Sequence, residues 1–165
     1  MSDAAVETSN VKVRRLGRRL ELRMSSDPSV LRPVRLALEE YGREAGLPVE
    51  QADKIGLALN EALANVMRHG YGGATDKPIM VTFDRHGEGS GEEVCVEIRD
   101  WAKPVDPAKL PKTAEQNDPL DVDAIKPGGL GLLCMRRLMD EVVFAPQADG
   151  TLLTMKKKVA NVGHK

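Results

Sequence analysis

A chain of 165 residues with 24 Lys and Arg against 25 Asp and Glu has a formal charge of −1, so it lacks the electrostatic footprint of a dedicated nucleic-acid binder. That length buries one good core and falls in the single-domain range. No apolar run is long enough to span a bilayer and the start has no basic segment followed by an apolar one, so a cytoplasmic protein with no membrane partner is expected.

Residues 1–10, rich in Ser, Asp, Glu and Asn, are expected to form a disordered tail, and 11–160 a single domain. The stretch 12–23 sets Lys12, Arg14, Arg15, Arg18, Arg19 and Arg23 among Val13, Leu16, Leu20 and Leu22, which reads as an edge strand with a charged outer face rather than a nucleic-acid patch. The first strand proper is placed at 18–25. Ser26 or Asp27 then caps a helix that starts near Pro28, has Val30, Leu31, Val34, Leu36, Leu38 and Tyr41 along it, and closes at Gly46. Pro33 sits early in that pattern and either delays the helix or kinks it. Pro48 opens a second helix with Ile55, Leu57, Leu59, Leu63 and Val66, ending at Gly70.

Within the second helix, Glu61, Asn65 and His69 recur every four residues, so three polar side chains stack on one face among apolar neighbours. A carboxylate, an amide oxygen and an imidazole in one column suit a base, a ligand for a hard cation and a polar anchor; the plainer reading is a solvated stripe on a surface helix. Strands follow near 78–84 and 93–100, joined by a glycine-rich hairpin loop at 86–91. The second of them alternates Val94, Val96 and Ile98 and ends on Asp100, which places a carboxylate at a sheet rim. Residues 103–127 contain five prolines and few large apolar groups, the composition of a lid or binding loop. Gly128, Gly129 and Gly131 open a third helix, where a close backbone approach and free amides suit an anion, most often a phosphate, or simply a tight turn. Neither a P-loop ending nor a dinucleotide-binding context accompanies them. Two final strands, near 140–146 and 151–159, turn at Ala148, Asp149 and Gly150, completing an α/β fold: a two-layer sandwich whose sheet, mixed but largely antiparallel, has helices on one face. Cys95 and Cys134 fall in an apolar strand and an apolar helix and read as buried free thiols of a reducing compartment.

In combination and order, Glu61-xxx-Asn65-xxx-His69-Gly70-Tyr71, the strand-terminal Asp100 and the Gly128-Gly129-Leu130-Gly131-Leu132 turn resemble the GHKL ATPase family, and within it the small anti-sigma-factor serine kinases of bacterial partner-switching systems. The resemblance runs over about 18–158 and implies a Bergerat-type ATP-binding fold with 103–127 as its ATP lid. It implies that Asn65 coordinates the Mg2+ that bridges the ATP phosphates, with His69 as a further nucleotide contact, and that Glu61 is the general base for the attacking hydroxyl. It also implies that Asp100 accepts from the exocyclic amine of adenine, a donor that guanine replaces with an acceptor. Gly128, Gly129 and Gly131 would shape the phosphate-side loop, and Thr154 would supply a hydroxyl beside the base. The family usually has glycine where this chain has Ala102, a methyl that the turn accepts only with negative φ. The implied partners are a STAS-domain antagonist phosphorylated on serine or threonine, a sigma factor that is sequestered, and a second copy in a homodimer. The competing class is a nucleotide-dependent binding module without turnover. Glu61 favours the enzyme, because a pure binder needs no base there.

Overall fold

The computed structural model describes residues 7–8, 10–104, 106, 108 and 129–159. Its strands are β1 (Glu7–Thr8), β2 (Val11–Leu16), β3 (Arg19–Ser25), β4 (Pro78–His86), β5 (Glu93–Asp100), β6 (Glu141–Gln147) and β7 (Gly150–Lys158). The helices are α1 (Leu31–Glu44), α2 (Val49–Asn65) and α3 (Gly129–Leu138). All seven strands join one sheet in the order β1-β2-β3-β4-β5-β7-β6. Every pairing in it is antiparallel, so the parallel component expected of a mixed sheet is missing among the described residues. The cause lies in the connections. Two helices between β3 and β4 return the chain antiparallel beside its starting strand, and β7 inserts between β5 and β6, which the single helix α3 would otherwise have made parallel neighbours.

Alternation decides which side of the sheet is covered. Leu22, Val81, Phe83, Val96, Ile98 and Met155 point to one face and pack with Val34, Leu38, Ile55, Leu59, Leu63 and Met135 from the helices, all of them buried. The spacing of Val34, Leu38 and Tyr41 keeps one stripe of α1 on that core, whereas Leu36 and Leu57, two residues off their stripes, are 54% and 52% exposed. Pro33 costs little, since it falls in the first turn of α1 where no intrahelical acceptor exists for its missing N–H. Arg35 of α1 lies flat across Gly56 of α2, pairing with Glu39 at 3.4 Å and Asp53 at 3.3 Å; a methyl at 56 would overlap the guanidinium. The two helices therefore meet closely through a glycine and an arginine.

Three expectations need correction here. Glu7 and Thr8 pair with Lys12 and Val11, so the sheet's edge strand lies within the segment expected to be a disordered tail; residues 1–6 and 9 lie outside the described ones. The charged stretch 12–23 is a hairpin, not one strand, because Gly17 takes φ 62° at the first position of a two-residue turn. Two of its charges find partners, Arg15 on Glu44 at the end of α1 and Arg23 on Glu21 of its own strand. The second helix is α-helical only to Asn65 and then continues as a π turn over Val66–Gly70, with the Tyr71 N–H donating to the Val66 carbonyl at 2.8 Å.

Candidate functional site

The end of β5 is held from every side. Asp100 is 7% exposed on the helix-facing side of the sheet, and its Oδ1 accepts the Ala102 N–H at 3.0 Å. Burial raises its pKa, while the Ala102 N–H, the Arg99 guanidinium and the Thr151 N–H act against that rise. Ala102 has no positive φ, so its methyl is carried without backbone strain where the resemblance expects glycine. Directly across from Asp100 in the β5–β7 pairing stands Thr151, 2% exposed and on the same face.

That register corrects the expected threonine. Thr154 pairs with Glu97 and Val143, and its odd offset from Thr151 turns it to the opposite side of the sheet. The structure does not bring Thr154 to Asp100; it brings Thr151. The signal was available in the strict alternation of Thr151, Leu153 and Met155, but Leu152 beside Leu153 leaves either parity plausible to a reader of the sequence alone.

Around this carboxylate the rim is tied down. Arg99 pairs with Asp149 at 2.6 Å, also donates to the Asp100 carbonyl, and sits 4.7 Å from the centre of the Trp101 ring. Gly150, at φ 139°, leaves room for the Asp100 carbonyl that any side chain there would strike. Tyr71 accepts the Trp101 N–H at 2.8 Å and donates to the Pro78 carbonyl at 2.6 Å. Burial pushes the Tyr71 pKa up, so the hydroxyl keeps the proton it donates.

The second cluster forms where α2 meets α3. Glu61 and Asn65, one turn apart, both face Gly131: a Cβ there would stand 3.0 Å from Glu61 Oε2, 3.2 Å from Asn65 Nδ2 and 3.3 Å from Asn65 Oδ1. Gly131 is thus a close-approach glycine that lets the backbone of α3 reach two polar side chains. Glu61 is exposed and Asn65 half-buried, and among the described residues none hydrogen-bonds or ion-pairs with Glu61. His69 falls within the π turn that follows Asn65 and is exposed there. Gly129 is the first described residue of α3, and Gly128 lies outside the described residues, as does nearly all of the expected lid 103–127. Among the described residues no three His, Cys, Asp or Glu converge as a metal site.

Of the two thiols, Cys95 is buried on the other side of the sheet, with its pKa pushed up to about 11 by burial and then by Glu97, whereas Cys134 is exposed on α3, contrary to its apolar surroundings in sequence. No described helix is long and apolar enough to cross a membrane.

The described residues thus place a buried acceptor at the end of a central strand, and on α2 a carboxylate and an amide one helical turn apart beside Gly131. The chain belongs to the histidine kinase-like ATPase domain family, whose match covers residues 24–157. Among its relatives, the serine-protein kinase RsbW of Oceanobacillus iheyensis is 24% identical over 142 residues, which are 86% of this chain and 87% of that protein. RsbW of Listeria monocytogenes is 26% identical over 128 residues, or 75% of this chain and 77% of that one. In fold the chain resembles the RsbU and RsbW domains of Rv1364c from Mycobacterium tuberculosis, with a TM-score of 0.58 and 22% identity over 84% of this chain and 32% of that longer one. It also resembles a chain of the SiaB-SiaC complex from Pseudomonas aeruginosa, with a TM-score of 0.52 and 19% identity over 83% of this chain and 89% of that one.

Proposed function

We propose that the protein is an anti-sigma factor and ATP-dependent serine/threonine-protein kinase that phosphorylates a STAS-type antagonist and, in the alternate state of the switch, sequesters a sigma factor. The observation that carries this reading is the convergence of Glu61 and Asn65 on Gly131, together with an Asp100 buried at the end of β5. In this reading Asp100 accepts from the adenine amine with the Thr151 hydroxyl beside it, and Asn65 offers its amide oxygen to Mg2+ at the phosphates. Bound Mg2+ supplies charge neutralisation across the phosphate oxygens. Gly129 and Gly131, with Gly128 before them, present backbone rather than side chain to the phosphates. Glu61 takes the proton of the incoming hydroxyl as its oxygen bonds to the γ-phosphorus and the bond to the ADP oxygen breaks. An exposed carboxylate suits this task, because the hydroxyl arrives on another protein. Phosphate on the antagonist's docking surface adds charge and disfavours rebinding, which makes the transfer a switch. Like the resemblance, this reading has the protein acting as a homodimer.

The alternative, a binding module that holds a partner only when ATP is bound, uses the same site and differs at Glu61 alone. Glu61→Gln separates the two. The kinase reading expects it to bind ATP normally and to transfer no labelled phosphate to a purified STAS-domain antagonist; normal transfer by this variant removes Glu61 from the role of base.

A further inference from the structure

Asp100 is fixed by its own strand pair, but its distance from Glu61 and Asn65 depends on whatever links the end of β5 to the end of α2. Beside the shared core of α2 and β5, one set of polar and close contacts reaches the turn after Asp100. The Tyr71 hydroxyl accepts the Trp101 N–H at 2.8 Å and is itself oriented by donating to the Pro78 carbonyl at 2.6 Å. One residue earlier, a Cβ on Gly70 would stand 3.3 Å from the Ala102 methyl. Residues 70 and 71 therefore touch both residues of the turn whose second N–H donates to the Asp100 carboxylate at 3.0 Å. Each member has a reason to be what it is. A phenol accepts and donates at once, which phenylalanine cannot do, and glycine at 70 leaves room for the methyl at 102.

Tyr71 follows directly on the π turn Val66–Gly70, and its N–H closes that turn on the Val66 carbonyl at 2.8 Å while its hydroxyl meets the Trp101 N–H at the rim of the sheet. The segment after Tyr71 is anchored too, with the Ser26 hydroxyl donating to the Ala74 carbonyl and accepting the Lys77 N–H at 3.1 Å.

We propose that Tyr71 is a positioning residue for base recognition: by pinning the Trp101 backbone it sets the Asp100 acceptor at a fixed reach from the phosphate-side groups on α2, and so sharpens the choice of adenine over guanine. The proposal rests on the reading of Asp100 as the adenine acceptor. Tyr71 touches no reacting atom; it acts through the turn at 101–102.

The test compares Tyr71→Phe with Tyr41→Phe in the full chain, measuring calorimetric affinity for Mg-ATP, displacement by Mg-GTP, and melting temperature. Tyr41 serves as the control because its hydroxyl makes a similar bond, to the Arg18 carbonyl at 2.8 Å, away from the Asp100 turn. Loss of the Tyr71 bond is expected to weaken ATP about three- to tenfold, to leave GTP unchanged, and to raise KM for ATP while kcat holds. Gly70→Ala, which presses on Ala102, is expected to narrow the ATP preference in the same direction. Tyr41→Phe is expected to lower the melting temperature and leave the ATP-to-GTP ratio alone. An unchanged ratio in Tyr71→Phe, or equal losses for both nucleotides, overturns the assignment. A wild-type protein that shows no preference for ATP removes the adenine reading itself, and that outcome is visible before any variant is made.

Discussion

The two halves of the site are built in opposite ways. At the base end, Asp100 is 7% exposed and locked by strand register, by two backbone N–H groups and by a rim of ion-paired and hydrogen-bonded side chains. At the end proposed for the phosphates, Glu61 stands exposed on α2, with Asn65 and a glycine of the next helix beside it. A sheet fixes a recognition group rigidly because a one-residue slip would turn its side chain to the other face. An exposed helix surface instead leaves a reacting group open to a second protein. In the proposed function, selection of the nucleotide and access for the acceptor therefore fall to different layers of the sandwich.

The largest expected effect divides those layers most sharply. Glu61→Gln should abolish detectable transfer while calorimetric ATP affinity stays at the wild-type value. Next comes Asp100→Asn, expected to weaken ATP about ten- to a hundredfold, since it replaces an ionised acceptor with an ambiguous amide. Stability should not follow affinity. Because burial raises the Asp100 pKa, the folded state holds its proton more tightly than the unfolded chain does; the ionised form therefore costs stability above the raised value, and that cost fades as pH falls through it. Asp100→Asn should accordingly keep or raise the melting temperature of the nucleotide-free protein at neutral pH, and wild-type ATP affinity should fall as pH drops through the same raised value. A variant that loses stability together with affinity would mean that Asp100 is structural.

Smaller effects sharpen the contrast. Gly131→Ala puts a methyl 3.0 Å from Glu61 Oε2, so it should cut turnover by about tenfold through misplacement of the polar pair, with little change in the denaturation midpoint. Gly56→Ala, which displaces Arg35 far from either cluster, should cost about 1–3 kcal/mol in urea denaturation and leave nucleotide affinity as it was.

Much of this was legible in the chain. Apolar periodicity gave the helices, alternation gave the central strands, and the acid closing one of them marked Asp100 as the residue at a sheet rim. Glu61 and Asn65 were readable because α-helical spacing holds between them. The π turn was not, because nothing in Val66-Met67-Arg68-His69-Gly70 announces a change from α to π hydrogen bonding. Thr151 was hidden by adjacent leucines that fit either strand parity, and Glu7–Thr8 by being too short to show any period. Tyr71 sits inside the recognisable motif, but its partners at 78 and 101 are contacts of the fold that no local spacing encodes.

The most direct measurement uses Trp101, the single tryptophan of the chain and the neighbour of Asp100. Its fluorescence, followed while the purified protein is titrated with ATP and magnesium, should change saturably with ATP, fail to do so with GTP at the same concentrations, and lose the response in Asp100→Asn. An equal response to GTP, or a silent ATP titration confirmed by calorimetry as no binding, would contradict the adenine site and with it the kinase built upon it.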